Sequence, residues 1–97
     1  MLNDRQKETL LILQEECAET IQAISKVFRF GWDNYKPGNM KTNKQHLEEE
    51  LGDLMCMIDL LVGMDLLDAK HINDSIGAKK EKLKIYSNIF KDEPNAD

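Results

Sequence analysis

Aromatic side chains are scarce in this 97-residue chain, with one Trp, two Tyr and three Phe. Turn-forming residues are scarce too, at five Gly and two Pro. Sheet proteins draw on aromatic residues and on frequent Gly/Pro turns, so this composition argues against a β-sandwich and suits helices. Cysteine is limited to Cys17 and Cys56. Both fall inside apolar helical patterns, which reads as two buried free thiols in a cytoplasmic protein rather than a disulfide. Positive charge is in deficit: 13 Lys and Arg face 18 Asp and Glu, for a net charge of −5. General nucleic-acid binding calls for a basic surface, so no nucleic-acid partner is expected. An acidic chain can still hold a phosphate where a metal or a local basic patch inverts the field. No apolar run approaches the length of a membrane span, and the opening "MLNDRQKE" is polar at once. Neither a membrane protein nor a secretory leader is expected. Internal repeats and low-complexity segments are also missing.

What is present is 41% hydrophobic and 32% charged residues, the balance of a globular chain. Its length fits a single domain over residues 1–97 with a modest core. The pattern predicts a first helix over about residues 4–29, capped by Asn3 or Asp4. Its core stripe would be Leu10, Cys17, Ile21, Ile24 and Phe28, widened by Leu13 and Ala18. Residues 30–41 collect Gly31, Pro37, Gly38, two Asn and three aromatics, and read as a loop. "TNKQ", Thr42 to Gln45, has the form of a capping box. A second helix then follows to about Met64, with Leu47, Leu51, Leu54, Ile58 and Leu61 as its stripe. Asp68 reads as the N-cap of a third helix reaching about residue 90, with a bend near Gly77. The tail 91–97 reads as frayed. Met55, Met57 and Met64 read as core or interface packing. The expected fold is all-α, an antiparallel helical bundle. Three helices of this length leave apolar surface uncovered, so oligomerisation into a homodimer or homotetramer would complete it.

The carboxylates are harder to place. At 100° per residue, Ile12, Glu16, Glu19 and Ala23 share one face of the first helix, opposite the core stripe. They form a second seam with two glutamates at its centre. On the second helix Glu50 and Asp53 are three residues apart, beside Leu54, Met57 and Leu61. Glu15, Glu48 and Glu49 fit a solvated acidic face. The inward pairs do not sit so easily. Two like charges about 4 Å apart repel by roughly 4 kcal/mol at an effective dielectric of 20. A whole domain is stable by only about 5–15 kcal/mol. Converging pairs therefore need protons, Lys/Arg partners or a divalent cation, and an all-oxygen set suits Mg²⁺ or Mn²⁺.

"EECAE", Glu15 to Glu19, has the form EExxE, and "ELGD", Glu50 to Asp53, has the form ExxD. In that order on two helices, the chain resembles the MazG-like nucleoside triphosphate pyrophosphohydrolases. The wider superfamily includes dimeric dUTPases and phosphoribosyl-ATP pyrophosphohydrolases. The resemblance covers roughly residues 8–86. One departure is the spacer: thirty residues separate Glu19 from Glu50, and the extra length falls in the 30–41 loop. The resemblance implies Mg²⁺-dependent hydrolysis of a (deoxy)nucleoside triphosphate to the monophosphate and pyrophosphate, with Mn²⁺ as a substitute ion. It implies Glu16, Glu19, Glu50 and Asp53 as metal ligands, and Glu15 as an outer group that orients the attacking water. Metal catalysis of this kind needs no nucleophilic side chain, because the ion activates water at the α-phosphorus. That agrees with a chain in which no Cys or Ser sits in an activated arrangement.

"KVFRFGW", Lys26 to Trp32, offers a base and phosphate pocket through Lys26, Arg29 and Trp32. The competing reading is core plus a helix C-terminus where basic residues suit the dipole; Phe28 is assigned to core. "AKKEKLK", Ala78 to Lys84, is the dense basic run, and Lys79 and Lys82 share a face that could clamp phosphate. Its plain alternative is an exposed helix face. His46, one turn before Glu50, reads as a surface histidine of a first helical turn rather than a ligand. Two rival functions remain. A ferritin-like di-iron protein would use Glu-x-x-His on two helices, which this chain lacks. A non-catalytic helical interaction module would show no metal dependence and no gathering of the carboxylates.

Overall fold

A computed structural model describes residues 1–35, 38 and 40–91. Three helices are seen: α1 over Asp4–Phe30, α2 over Asn43–Gly63 and α3 over Ala69–Tyr86. Among the described residues there is no strand, and only an isolated antiparallel bridge joins Tyr35 and Thr42. The all-α expectation therefore holds. The chain divides into two compact units, Met1–Leu67 with α1 and α2, and Asp68–Asp97 with α3. Positions 36, 37 and 39 of the predicted loop and positions 92–97 of the predicted tail lie outside the described residues.

The helix boundaries follow local chemistry. Asn3 accepts from the Gln6 amide at 2.8 Å while the Gln6 side chain accepts from the Asn3 amide at 2.9 Å. Thr42 and Gln45 repeat this reciprocal arrangement at the start of α2, at 3.1 and 3.0 Å. Each box satisfies donors that a helix start leaves without partners. α1 ends where Gly31 takes φ of 99°, a conformation that L side chains rarely adopt. Its amide still reaches the Val27 carbonyl at 2.8 Å.

Asn43 then pins the return of the chain. Its side chain is 2% exposed and donates to the Gly31 carbonyl at 2.9 Å, and its amide donates to the Asn34 carbonyl at 2.9 Å. The Lys44 amide donates to the Trp32 carbonyl at 3.1 Å. With the end of α1 tied to the start of α2, the two helices run back along each other and pack together.

The packed seam differs from the stripe expected for α1. One line of covered positions on α1 is Thr9, Leu13, Glu16, Thr20, Ala23, Val27 and Phe30; on α2 it is Asn43, Leu47, Glu50, Leu54, Met57 and Leu61, continued by Met64 at the C-cap, and Leu10, Ile12, Leu51 and Ile58 are half-buried as well. Both runs alternate steps of four and three, the spacing that keeps one face of a helix on its neighbour. Ala23 and Leu61 are fully buried. Thr9 and Thr20 can enter the seam because each hydroxyl donates to the carbonyl four residues back, at 2.7 and 2.9 Å. The predicted core stripe of α1 is covered only at Leu10 and Leu13: Ile21 is 65% exposed, Phe28 is 85% exposed, and Cys17, Ala18 and Ile24 are also exposed. Hydropathy favoured that stripe because it is uniformly apolar. The hairpin instead buries a mixed face, with Thr9, Thr20 and Ala23 among Leu13, Val27 and Phe30. The two thiols are free as expected, but both are exposed rather than buried. Met57 and Met64 are half-buried, whereas Met55 is 61% exposed.

α3 is described by itself. Asp68 caps it, accepting from the Lys70 and His71 amides at 2.9 and 3.4 Å. The helix passes Gly77 without interruption and ends at Tyr86, short of the predicted residue 90. Ser87 stops it: its backbone turns extended and its hydroxyl donates to the Leu83 carbonyl at 2.7 Å. None of its residues is buried. No helix among the described residues is long and apolar enough to cross a membrane.

Candidate metal centre

Glu16 and Glu50 are members of the α1–α2 seam, in positions that a hydrophobic residue would ordinarily fill. Asp53 flanks the seam one turn after Glu50. Their positions on two rigid helices bring the three carboxylates together: one oxygen from each lies within 4.8 Å of the others. Glu16 and Glu50 are half-buried and Asp53 is exposed, so the cluster opens to solvent on the Asp53 side. Glu19 and Glu15 sit on α1 beside it, both exposed, and are not members of this close group.

The electrostatics centre on Glu16. Its Oε2 is buried and has no hydrogen-bond partner among the described residues. Burial raises its pKa above the ordinary 4.5, and the charges of Asp53, Glu50, Glu19 and Glu15 raise it further, in that order. The described residues supply no Lys or Arg ion pair to Glu16, Glu50 or Asp53; the lysine pairs are Lys41–Glu49, Lys70–Asp74 and Lys84–Glu81. One contact does reach the cluster: His46 Nε2 lies 3.2 Å from Glu50 Oε1. Sequence reasoning set His46 aside as a surface residue. The signal that could have found it is the i, i+4 spacing to Glu50, which stacks the two side chains on one helix face.

A divalent cation fits this set. Hard cations take oxygen ligands, and a buried carboxylate oxygen without a donor is the atom such an ion would satisfy. Glu16, Glu50 and Asp53 could hold it, with Glu19 one turn along α1 as a further oxygen donor.

The other candidate residues are not members of the close group. Lys26 is half-buried on α1. Arg29 is exposed, with its guanidinium 4.9 Å from the centroid of the Phe30 ring, a cation–π contact. Trp32 is 48% exposed just past Gly31. Phe28, assigned to core from the sequence, is a surface residue here. Lys79 and Lys82 are exposed on α3, and no ion pair holds either among the described residues.

No curated protein and no solved structure matches the chain. A protein-family model does match, over residues 4–84, and its description is the MazG nucleotide pyrophosphohydrolase domain. The matched span takes in both carboxylate motifs, all of α1 and α2 and most of α3. The chain therefore belongs to the MazG nucleotide pyrophosphohydrolase family.

Proposed function

We propose that this protein hydrolyses a (deoxy)nucleoside triphosphate to the monophosphate and pyrophosphate, using a Mg²⁺ ion held by Glu16, Glu19, Glu50 and Asp53. The observation that carries this reading is the gathering of Glu16, Glu50 and Asp53 within 4.8 Å around a Glu16 oxygen that lacks any donor. A bound divalent cation supplies neutralisation of the phosphates and acidification of water. The chain's own residues do the rest. Glu16 and Glu50 fix the ligand geometry, because both emerge from a packed helix face. Asp53 stands at the open side, where the triphosphate enters. Glu15 accepts a hydrogen bond from the attacking water and aims it at the α-phosphorus. The phosphorus–oxygen bond to the β-phosphate breaks, and pyrophosphate leaves with the electron pair. Lys26 and Arg29 bind phosphate, and Trp32 offers a ring for the base. Mn²⁺ substitutes for Mg²⁺, since both are hard cations with oxygen preference.

The working form is a homodimer, or a homotetramer built from dimers. Its support is the apolar stripe of Cys17, Ile21, Ile24 and Phe28, which the hairpin leaves exposed. The protein resides in the cytoplasm, where exposed thiols stay reduced.

The deciding experiment is a pyrophosphate-release screen over all (deoxy)nucleoside triphosphates, with and without Mg²⁺. Release that requires Mg²⁺ and disappears in Glu16→Gln and Asp53→Asn is expected. No release from any substrate, or release from both variants unchanged from the parent's, would defeat the assignment in favour of a non-catalytic helical interaction module.

A further inference from the structure

We propose that His46 is a positioning residue for the carboxylate cluster, holding Glu50 in the rotamer that a cation needs. The inference rests on the metal-dependent reading above and extends it to a residue outside both carboxylate motifs. Three observations support it. His46 Nε2 is 3.2 Å from Glu50 Oε1, within hydrogen-bonding reach. The two side chains are 23% and 15% exposed, so the contact is sheltered from competing water. Glu50 is one of the three clustered carboxylates, and no Lys or Arg ion pair restrains any of them among the described residues.

The physical argument concerns rotation. A glutamate side chain has three rotatable bonds, and in this cluster like charges push it outward. A donor one turn away on the same helix counters that push. It fixes the carboxylate plane while consuming only part of the lone-pair capacity of the two oxygens. Ligating carboxylates are commonly held by outer hydrogen bonds in this way, and loss of the outer partner weakens metal binding. With Nε2 the atom that faces Glu50, the proposed role needs a donor at that reach from the helix, not an aromatic ring. Glutamine places its amide nitrogen at a similar reach; asparagine stops near the Nδ1 position.

The test is Mn²⁺ binding, followed by calorimetry, to the full chain and to His46→Ala, His46→Gln and His46→Asn. Thermal unfolding without metal serves as the folding control. The expected result is about tenfold weaker Mn²⁺ binding in His46→Ala and His46→Asn, with near-parental binding in His46→Gln. In the hydrolysis assay His46→Ala should need more Mg²⁺ for half-maximal rate, while kcat at saturating Mg²⁺ is largely restored. Unchanged Mn²⁺ affinity in His46→Asn sinks the proposal, and so does a glutamine variant as weak as asparagine. If His46→Ala fails to fold, the Gln and Asn pair still decides. Failure of the parent chain itself to bind Mn²⁺ overturns the metal-dependent reading as well, whereas parental binding indifferent to His46 overturns this inference alone.

Discussion

Glu16 binds its proton more tightly in the folded hairpin than in the unfolded chain, because burial and four neighbouring carboxylates all disfavour its charge. The consequence for stability has a definite sign. A group whose folded pKa is raised contributes stability that is complete below its unfolded value and is lost as pH rises through the folded value. For the metal-free protein, Glu16 therefore becomes a growing liability as pH climbs above 4.5. Glu16→Gln, which stays neutral, should melt progressively higher than the parent over that rise. Thermal unfolding in chelator across a pH series reads this directly, and a difference that stays flat or shrinks contradicts it. Mg²⁺ should narrow the gap, since a ligand that binds only the folded parent stabilises it by mass action. The residue that destabilises the empty hairpin is thus the one expected to be most committed to the ion.

The α1–α2 hairpin owes its geometry to a few contacts of different kinds. Leu61 is fully buried in the seam, and Leu61→Ala should cost about 2–5 kcal/mol. Asn43 is nearly as buried, but its role is polar: it satisfies the Gly31 carbonyl where α1 stops. Asn43→Ala should cost about 1–3 kcal/mol, because the carbonyl loses its partner. Urea denaturation of both variants tests these values, and a neutral Asn43→Ala would mean that the loop is held by other contacts. Gly31 belongs to the same corner. A side chain there would meet the left-handed φ of 99° and would put its Cβ 3.0 Å from Asn34 Nδ2. Shifts in this corner would slide α2 along α1 and separate Glu16 from Glu50.

The second apolar stripe of α1 is the support for the proposed assembly. Ile21 and Phe28 lie seven residues apart on it, 65% and 85% exposed, with Cys17 and Ile24 between or beside them. If this stripe forms the contact between copies, Phe28→Asp should yield monomers by light scattering where the parent elutes as a dimer or larger. An unchanged mass would move the interface elsewhere, for example to the side of α2 bearing Met55 and Leu60. The charge inserted at Phe28 lies away from the seam, so the variant should keep its helical content.

Local rules settled the ends of the helices. The capping boxes at Asn3 and Thr42 and the cap at Asp68 are short-range hydrogen-bond patterns, and they occur where residue order demands them. The two carboxylate motifs were legible for the same reason: i, i+3 spacing on a helix fixes which side chains share a face. α3 ran past its true end in the reading because apolar Ile89 and Phe90 extended the pattern, while Ser87 offered the backbone another partner. Periodicity alone could not choose between the two faces of α1, since both repeat at helical spacing. Only packing against α2 made that choice, and it took the face of Thr9, Leu13, Thr20, Ala23 and Val27. That choice decided the rest: it drew Glu16 into the seam beside Glu50 and Asp53 and left Phe28 exposed. Residue order determined the helices and their caps, because those interactions span a few residues. The tertiary structure decided which helix face is buried and which carboxylates meet, because those depend on contacts between residues more than thirty positions apart.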